Sequence, residues 1–214
     1  MALLLIAAGA LAVGGAAIGP TMAAYTDHAE LGIAAHTQFD AVFIDADDTV
    51  TGFGPEGIEA ELTAAESYVP GATAVATLRI GNNSSQVPMT LAATLSGAGN
   101  LSPVIRVSAE LSRGDGSTET LLGNPEAPEA GVPLADAAIP SFTLDARGAE
   151  PLPNGALWSG PQSSAATLRI FLHVLDVPEL QARDSGEMTA TIALTASSGD
   201  ESSDPNRSGG ETST

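Results

Sequence analysis

The chain has 214 residues, with 26 acidic residues against seven arginines, no lysine or cysteine, and a formal net charge of −19. This charge excludes most nucleic-acid partners, because binding to a phosphate backbone depends on cationic side chains. The missing cysteine excludes disulfides, thiolate metal sites and cysteine nucleophiles. Hydrophobic residues make up 43 % of the chain, which predicts at least one packed core.

The first 23 residues contain no charged side chain and consist mostly of Leu, Ala, Val, Ile and Gly. This composition predicts a secretory signal helix. Thr21 and Ala23 place small residues where a signal peptidase requires them, so the predicted cleavage lies between Ala23 and Ala24. A retained membrane anchor is the alternative, and it is the one membrane contact that the sequence predicts. The lack of a basic residue after Met1 predicts a translation start further upstream.

Alternating apolar residues predict a series of β-strands after this segment. They run over residues 72–80, 87–95, 104–112, 118–122, 141–145, 166–174 and 188–196. The Asn- and Ser-rich run 81–85 predicts a hairpin between the first two, and Asp115-Gly116 predicts a second hairpin. Residues 58–65 fit a strand by alternation and a helix by composition, and most of 123–153 is predicted to form loops.

No long helical pattern separates these segments, so the sequence predicts an all-β fold, an antiparallel β-sandwich of jelly-roll type. The predicted divisions are a signal segment (1–23), an N-terminal strand segment (24–37), the sandwich domain (38–196) and a polar tail (197–214). The tail contains almost no apolar residues, which predicts disorder.

The N-terminal segment has the pattern of a separate strand. Ala29, Leu31, Ile33 and Ala35 alternate with polar or small residues. A free terminal strand with an apolar face can add to an exposed sheet edge in another subunit. In this interpretation, signal cleavage releases the strand for donation. In the alternative interpretation, the strand folds back into its own domain.

Several segments resemble the TasA/camelysin family, whose members are secreted proteins that build fibres in bacterial biofilm matrices. The resemblance is carried by the junction Thr21-Met22-Ala23-Ala24-Tyr25-Thr26-Asp27, by Phe39 and Ile44-Asp45, by Pro70-Gly71 with the strand that leads to Asn82-Asn83-Ser84-Ser85, and by the closing run 189–196. Ala72 departs from the pattern, since the family prefers Asp there.

The resemblance implies a jelly roll, processing by a dedicated signal peptidase, and a donor strand from Tyr25 to Ala35 that completes the sheet of a neighbouring subunit. The expected partners are further copies of the chain or a related matrix subunit. The expected function is that of a secreted, non-enzymatic fibre subunit outside the cell or at its surface. The alternatives are a secreted monomeric adhesin or carbohydrate-binding module and, third, a camelysin-like metallopeptidase.

Enzyme signatures are missing from the sequence. It contains neither the His-Glu-x-x-His zinc motif nor the Gly-x-Ser-x-Gly nucleophile motif. His28, His36 and His173 are therefore interpreted as surface histidines. Trp158 is interpreted as a core or rim residue rather than a ligand platform. These observations favour a protein without catalytic activity.

One acidic run has the spacing of a calcium-binding loop. Asp45, Asp47, Thr49 and Glu56 occupy its first, third, fifth and twelfth positions. Val50 stands where such a loop needs glycine for a sharp turn. Calcium is therefore a candidate cofactor, and a solvated acidic turn is the alternative.

Overall fold

The computed structural model describes residues 29–36, 41–52, 58–60, 70–177 and 188–198. The strands in these ranges are β1 (Ala29–His36), β2 (Ala41–Ile44), β3 (Val50–Gly52), β4 (Ile58–Ala60), β5 (Thr73–Asn82), β6 (Met89–Ala98), β7 (Ile105–Arg113), β8 (Thr118–Leu122), β9 (Val132–Pro133), β10 (Ala138–Leu144), β11 (Ala165–Val174) and β12 (Met188–Ser198). Short 3-10 helices cover Ser102–Val104, Pro128–Ala130, Leu134–Asp136 and Gln162–Ser164.

The described strands form two sheets. The five-stranded sheet has the order β10-β6-β12-β1-β4, and the seven-stranded sheet has the order β3-β2-β5-β11-β7-β8 with β9 paired to β7. The strand pairs are antiparallel, apart from the parallel pair of β1 and β12. The predicted all-β, antiparallel class is confirmed.

One core fills the space between the two sheets. Its residues alternate along each strand, as the sequence predicts, and they include Leu78 on β5, Leu91 on β6, Leu168 on β11 and Ile192 on β12. Strands from both sheets contribute to this single cluster of buried side chains. The sheets are therefore held together by burial of apolar surface, the expected stabilising force for a chain without cysteine.

The predicted hairpin between β5 and β6 is wrong, because these strands lie in different sheets. At the crossover, the fully buried side-chain amide of Asn82 donates to the carbonyls of Val87 and Leu144, at 2.9 and 3.3 Å. Its side-chain oxygen accepts a 3.0 Å bond from the N–H of Ser84. Turn-forming residues reverse the chain in both arrangements, so the sequence pattern did not distinguish a hairpin from a crossover.

We expect Asn82→Leu to lower the free energy of unfolding by about 2–4 kcal/mol, because it leaves buried backbone groups without their hydrogen-bond partners. Urea denaturation measures this change. Gln86→Leu, at an exposed position of the same connection, is the control and should change the value by no more than about 0.5 kcal/mol. Equal midpoints for the two variants would contradict a structural role for the Asn82 amide.

The second predicted hairpin, between β7 and β8, is confirmed. Gly116 has a φ of +84°, a left-handed conformation that residues with a side chain adopt only under strain. Asp115 accepts hydrogen bonds from the hydroxyl and the N–H of Ser117, at 2.6 and 2.8 Å. These bonds favour the ionised carboxylate, so they lower the pKa of Asp115.

The expectation of a surface histidine is wrong for His173, which is only 8 % exposed. Its Nδ1 lies 2.8 Å from the hydroxyl oxygen of Thr73 on the adjacent strand. The 3-10 helix Pro128–Ala130 lies against β7 and β11. Alternation along β11 predicts a polar outer face, but the sequence does not show which distant loop segments cover it. His28 and the side chain of His36 lie outside the described residues.

Several other predicted features also lie outside the described residues. They are the signal segment with Ala23 and Ala24, Tyr25, Glu56 and the tail after residue 198. Of the ambiguous run 58–65, the first three residues form β4, and the remainder is not described. Within the described ranges, no helix reaches the length and apolarity needed to cross a bilayer.

Candidate functional site

The predicted donor segment forms β1, which lies inside the five-stranded sheet. It pairs in parallel with β12 over eight residues, from Ala29 beside Met188 to His36 beside Thr195. On its other side it pairs with β4 over three residues. β1 thus occupies a slot between β12 and β4 of its own chain, as the second interpretation of this segment expects.

The register in this slot matches the apolar positions of the two strands. On β12 the core residues are Met188, Ala190, Ile192 and Leu194, each no more than 1 % exposed. Their register partners on β1 are, in the same order, Ala29, Leu31, Ile33 and Ala35. A shift by one residue would break this match. The observed register between β1 and β12 is therefore the one in which the apolar positions of β1 lie beside the buried residues of β12.

The slot has the properties of a strand-binding site. Without β1, the edge of the sheet would be β12, with an eight-residue row of unpaired backbone N–H and C=O groups. The buried side chains of β12 belong to the core between the sheets, so they would lie at the same open edge. Backbone groups and apolar pockets together are what an extended peptide segment binds.

Other described sheet edges are poorly suited to strand addition. β9 contains two residues, and β3 and β4 contain three each. β8 contains five residues, one of them Glu119, and its register with β7 shifts. β10 contains Pro140, and its register with β6 shifts between Ile139 and Phe142. Short edges, prolines and irregular pairing all hinder association between sheet edges. A neighbouring chain would therefore gain most by binding at the slot.

Three of the four candidate calcium ligands, Asp45, Asp47 and Thr49, lie in the hairpin loop between β2 and β3. Asp47 accepts hydrogen bonds from the hydroxyl and the N–H of Thr49, at 2.7 and 3.1 Å. The hydroxyl bond is the main reason that the pKa of Asp47 is lowered. The Asp45 carboxylate accepts a 3.2 Å bond from the hydroxyl of Thr51, and the Thr49 hydroxyl oxygen, whose one proton points to Asp47, lies 3.4 Å from it. Both carboxylates are thus bonded within the loop.

Two further residues fix the shape of this loop. Arg79 on β5 forms an ion pair with Asp48 at 2.7 Å and donates to the carbonyl of Asp45 at 3.3 Å. Val50, where a calcium loop needs glycine, is fully buried in β3. In the described ranges no group of three or more acidic or histidine side chains is placed to hold a metal ion. Because Glu56 lies outside these ranges, calcium binding stays a prediction.

Trp158 packs at the edge of a small second cluster formed by Val42, Ile44 and Val50. A carbon of its ring lies 2.7 Å from where a Cβ on Gly81 would stand. Only glycine at position 81 therefore leaves room for the ring. This packing agrees with the interpretation of Trp158 as a core or rim residue.

The sequence did not reveal that β12 is the partner of β1. The alternation in 188–196 identifies a strand, and the alternation in β1 identifies another. Pairing between two segments so far apart in the chain leaves no local signal, because each strand would alternate in the same way beside any partner. The alternating apolar positions that pair with one another in the register are the one signal that relates them.

No protein-family model matches the chain, and no curated protein matches it in sequence. The geometry of the slot is therefore the feature that points to a function.

Proposed function

We propose that the protein is a secreted structural subunit that assembles into extracellular fibres by exchanging β1 between copies. In the assembled form, β1 of one chain fills the slot between β12 and β4 of the next. One observation carries the proposal: β1 is the first strand of the described chain, it pairs in parallel with β12, and its removal would open an eight-residue edge of the core. Parallel pairs are slightly less stable per residue than antiparallel ones.

Exchange of β1 costs little free energy, because the strand makes the same contacts in a neighbouring slot as in its own. In a single chain, however, strand and slot are tethered, and short tethers give effective concentrations in the millimolar range. The closed form is therefore favoured at low concentration. Fibre growth requires a high local concentration, as in an extracellular matrix.

The connection after β1 supports exchange. Only residues 37–40 separate the end of β1 from the start of β2, and these strands lie in different sheets. Packed sheets are about 10 Å apart, and a connection of this length spans at most about 17 Å. Short hinge connections of this kind favour domain swapping.

The proposal includes the jelly-roll connectivity and the TasA/camelysin resemblance. In the described chain, β5 and β6, β6 and β7, β10 and β11, and β11 and β12 are successive strands in opposite sheets. Frequent crossing between sheets is typical of Greek-key and jelly-roll folds. Export and cleavage between Ala23 and Ala24 complete the proposal, because a terminus tethered to a membrane is not free to enter a neighbour's slot.

Cysteine cross-linking tests the exchange, since the chain has no natural cysteine. Ala34 and Ala193 are register neighbours on β1 and β12, and adjacent strands are about 4.8 Å apart, a distance that a disulfide spans. We expect Ala34→Cys chains and Ala193→Cys chains, mixed, assembled and then oxidised, to yield a dimer linked through positions 34 and 193. Mass spectrometry of the linked peptides identifies it.

The chain with both substitutions is the matched control. Oxidation at low concentration locks this chain in the closed form, so electron microscopy should show no fibres. The same chain should form fibres after reduction. Fibres of the locked chain would contradict exchange of β1. Absence of fibres from the processed wild-type chain would contradict the fibre function itself.

The closed pairing of β1 also favours a second candidate function, a secreted monomeric adhesin or carbohydrate-binding module. Here β1 stays in its own sheet at every concentration. A monodisperse monomer that binds glycans or cell surfaces, and yields no cross-link between positions 34 and 193 of different chains, would favour this function. A camelysin-like peptidase would be indicated by casein hydrolysis in a clean preparation.

A further inference from the structure

Three adjacent strands of the five-stranded sheet differ in charge from three strands of the other sheet. β6, β10 and β12 are adjacent in the five-stranded sheet and contain no charged residue along their whole length, although charged residues make up 15 % of the chain. The neighbouring strands β5, β7 and β11 of the other sheet carry Arg79, Arg106, Glu110, Arg113 and Arg169. The net charge of −19 is therefore carried by other parts of the chain.

We call the uncharged surface the threonine face. It consists of outward-facing residues of the three strands. These are every second residue of β6 starting at Thr90, every second residue of β12 starting at Thr189, and Thr143 of β10. Thr94 lies beside Ala193 across the β6–β12 pair. The hydroxyl oxygens of Thr90 and Thr143 are 3.3 Å apart. The face thus presents hydroxyl and methyl groups at the fixed spacing of a sheet.

We propose that the threonine face binds the same face of a second copy of this chain. Two copies with this net charge repel each other wherever carboxylates are in excess. Across the threonine face they can approach without burying an unpaired charge, which is costly. Threonine and serine hydroxyls both donate and accept hydrogen bonds, so the face is chemically complementary to itself. A two-fold axis between the copies satisfies this geometry.

A partner of opposite charge fits this surface poorly. A basic protein would bind the acidic surfaces elsewhere on the chain, and β6, β10 and β12 supply no cation of their own to an anionic polymer. The one cation that reaches β10 in the described hydrogen bonds is Arg113 of β7, which donates to the carbonyl of Thr143 at 3.1 Å. The charge distribution therefore favours a second copy of the chain over a charged partner.

The size of the threonine face predicts a weak contact. Three strands about 4.8 Å apart and about 30 Å long cover about 400 Å² per copy. The total of about 800 Å² is below the roughly 1,200–2,000 Å² of stable specific interfaces. We therefore expect rapidly reversible association, which becomes stronger when many copies are held in a row. This contact is separate from strand exchange and extends the proposed function.

The double variant Thr94→Arg/Thr195→Arg tests the contact at two exposed positions of the face. The added cations reduce the net negative charge, and this reduction by itself favours association. At the contact, however, the cations would be buried without a partner, which opposes association. At about 1 M salt, where the screening length is about 3 Å, we expect reversible association of the wild-type chain in sedimentation velocity. The association constant of the double variant should be at least tenfold lower.

The variant Thr77→Arg/Thr120→Arg is the matched control, because both threonines are exposed on strands of the other sheet. It should associate at least as strongly as the wild type. Equal association of the two double variants, or none by the wild type at high salt, would overturn the proposal. Thermal unfolding confirms that each variant is folded, and Thr94→Arg alone provides a milder substitution.

Dilution separates this contact from strand exchange. Chains joined by exchange of β1 stay associated after dilution, because separation requires partial unfolding, whereas the face contact dissociates during the run. A wild-type chain that associates reversibly but forms no fibres would contradict the proposed function alone. A wild-type chain that forms fibres, together with a Thr94→Arg/Thr195→Arg chain that associates as strongly as the wild type, would contradict the threonine-face contact alone.

Discussion

Deletion of residues 24–36 is expected to leave a chain that reaches full stability only when the missing strand is supplied from outside. The deletion removes β1 and opens the edge of β12, where Met188, Ile192 and Leu194 are no more than 1 % exposed in the complete chain. Exposure of this edge should lower the free energy of unfolding by at least about 4 kcal/mol, the scale of two or three buried apolar side chains. Fibre formation should be abolished.

A synthetic peptide with the sequence of residues 24–36 is expected to restore the stability of the deleted chain. In the slot it regains the backbone hydrogen bonds and the register of β1. Thermal shift and isothermal titration calorimetry measure the effect. A peptide with Ile33→Pro is the control, because proline has no N–H to donate and ends strand pairing.

Two results would contradict the slot as a strand-binding site. The first is a deleted chain as stable as the complete chain, since the edge of β12 would then need no partner. The second is equal binding of the two peptides, since pairing along β12 would then not be the basis of recognition. A deleted chain that is unfolded alone but refolds with the unmodified peptide would support the site.

The second large effect is expected for Leu168→Ala, in the core between the sheets. Leu168 is fully buried on β11, with Leu78 and Leu111 as register partners on the two adjacent strands. Truncation of a buried leucine removes apolar contacts and leaves a cavity, so we expect a loss of about 3–5 kcal/mol. Urea denaturation measures it. Leu157→Ala is the control, because Leu157 is 66 % exposed.

The same variant reports on the link between core and slot. Leu168 and the β12 residues that border β1 belong to one buried cluster. We therefore expect the Leu168→Ala chain to release β1 more often and to assemble faster than the wild type at the same concentration when both are still folded. Unfolding free energies that do not differ between Leu168→Ala and Leu157→Ala would contradict the assignment of this core.

Strand positions and core residues were largely predictable from the sequence. On β11, alternation identifies Leu168, Ile170 and Leu172 as inward residues, and all three are fully buried. The Asp115-Gly116 turn was also predictable, since glycine at positive φ is a local requirement of the hairpin. Period-two burial and turn chemistry depend on neighbouring residues, so they are visible without knowledge of the fold.

The predictions from the sequence were wrong where segments far apart in the chain meet. The turn after Asn82 leads to the opposite sheet rather than to a hairpin, because the buried amide of Asn82 binds the carbonyl of Leu144, far along the chain. The burial of His173 depends on how loops cross the outer face of the seven-stranded sheet. Neither contact leaves a pattern in the sequence near these residues.

The candidate site depends both on local sequence pattern and on contacts between distant segments. By itself, the sequence determined that the protein is an acidic, all-β chain whose residues 29–35 form a strand with one apolar side. Only the tertiary structure decided that this strand lies between β12 and β4, and that three adjacent strands present an uncharged face. The physical reason is that a strand's alternation arises from its own backbone geometry, whereas its partner is selected by contacts between segments far apart in the chain.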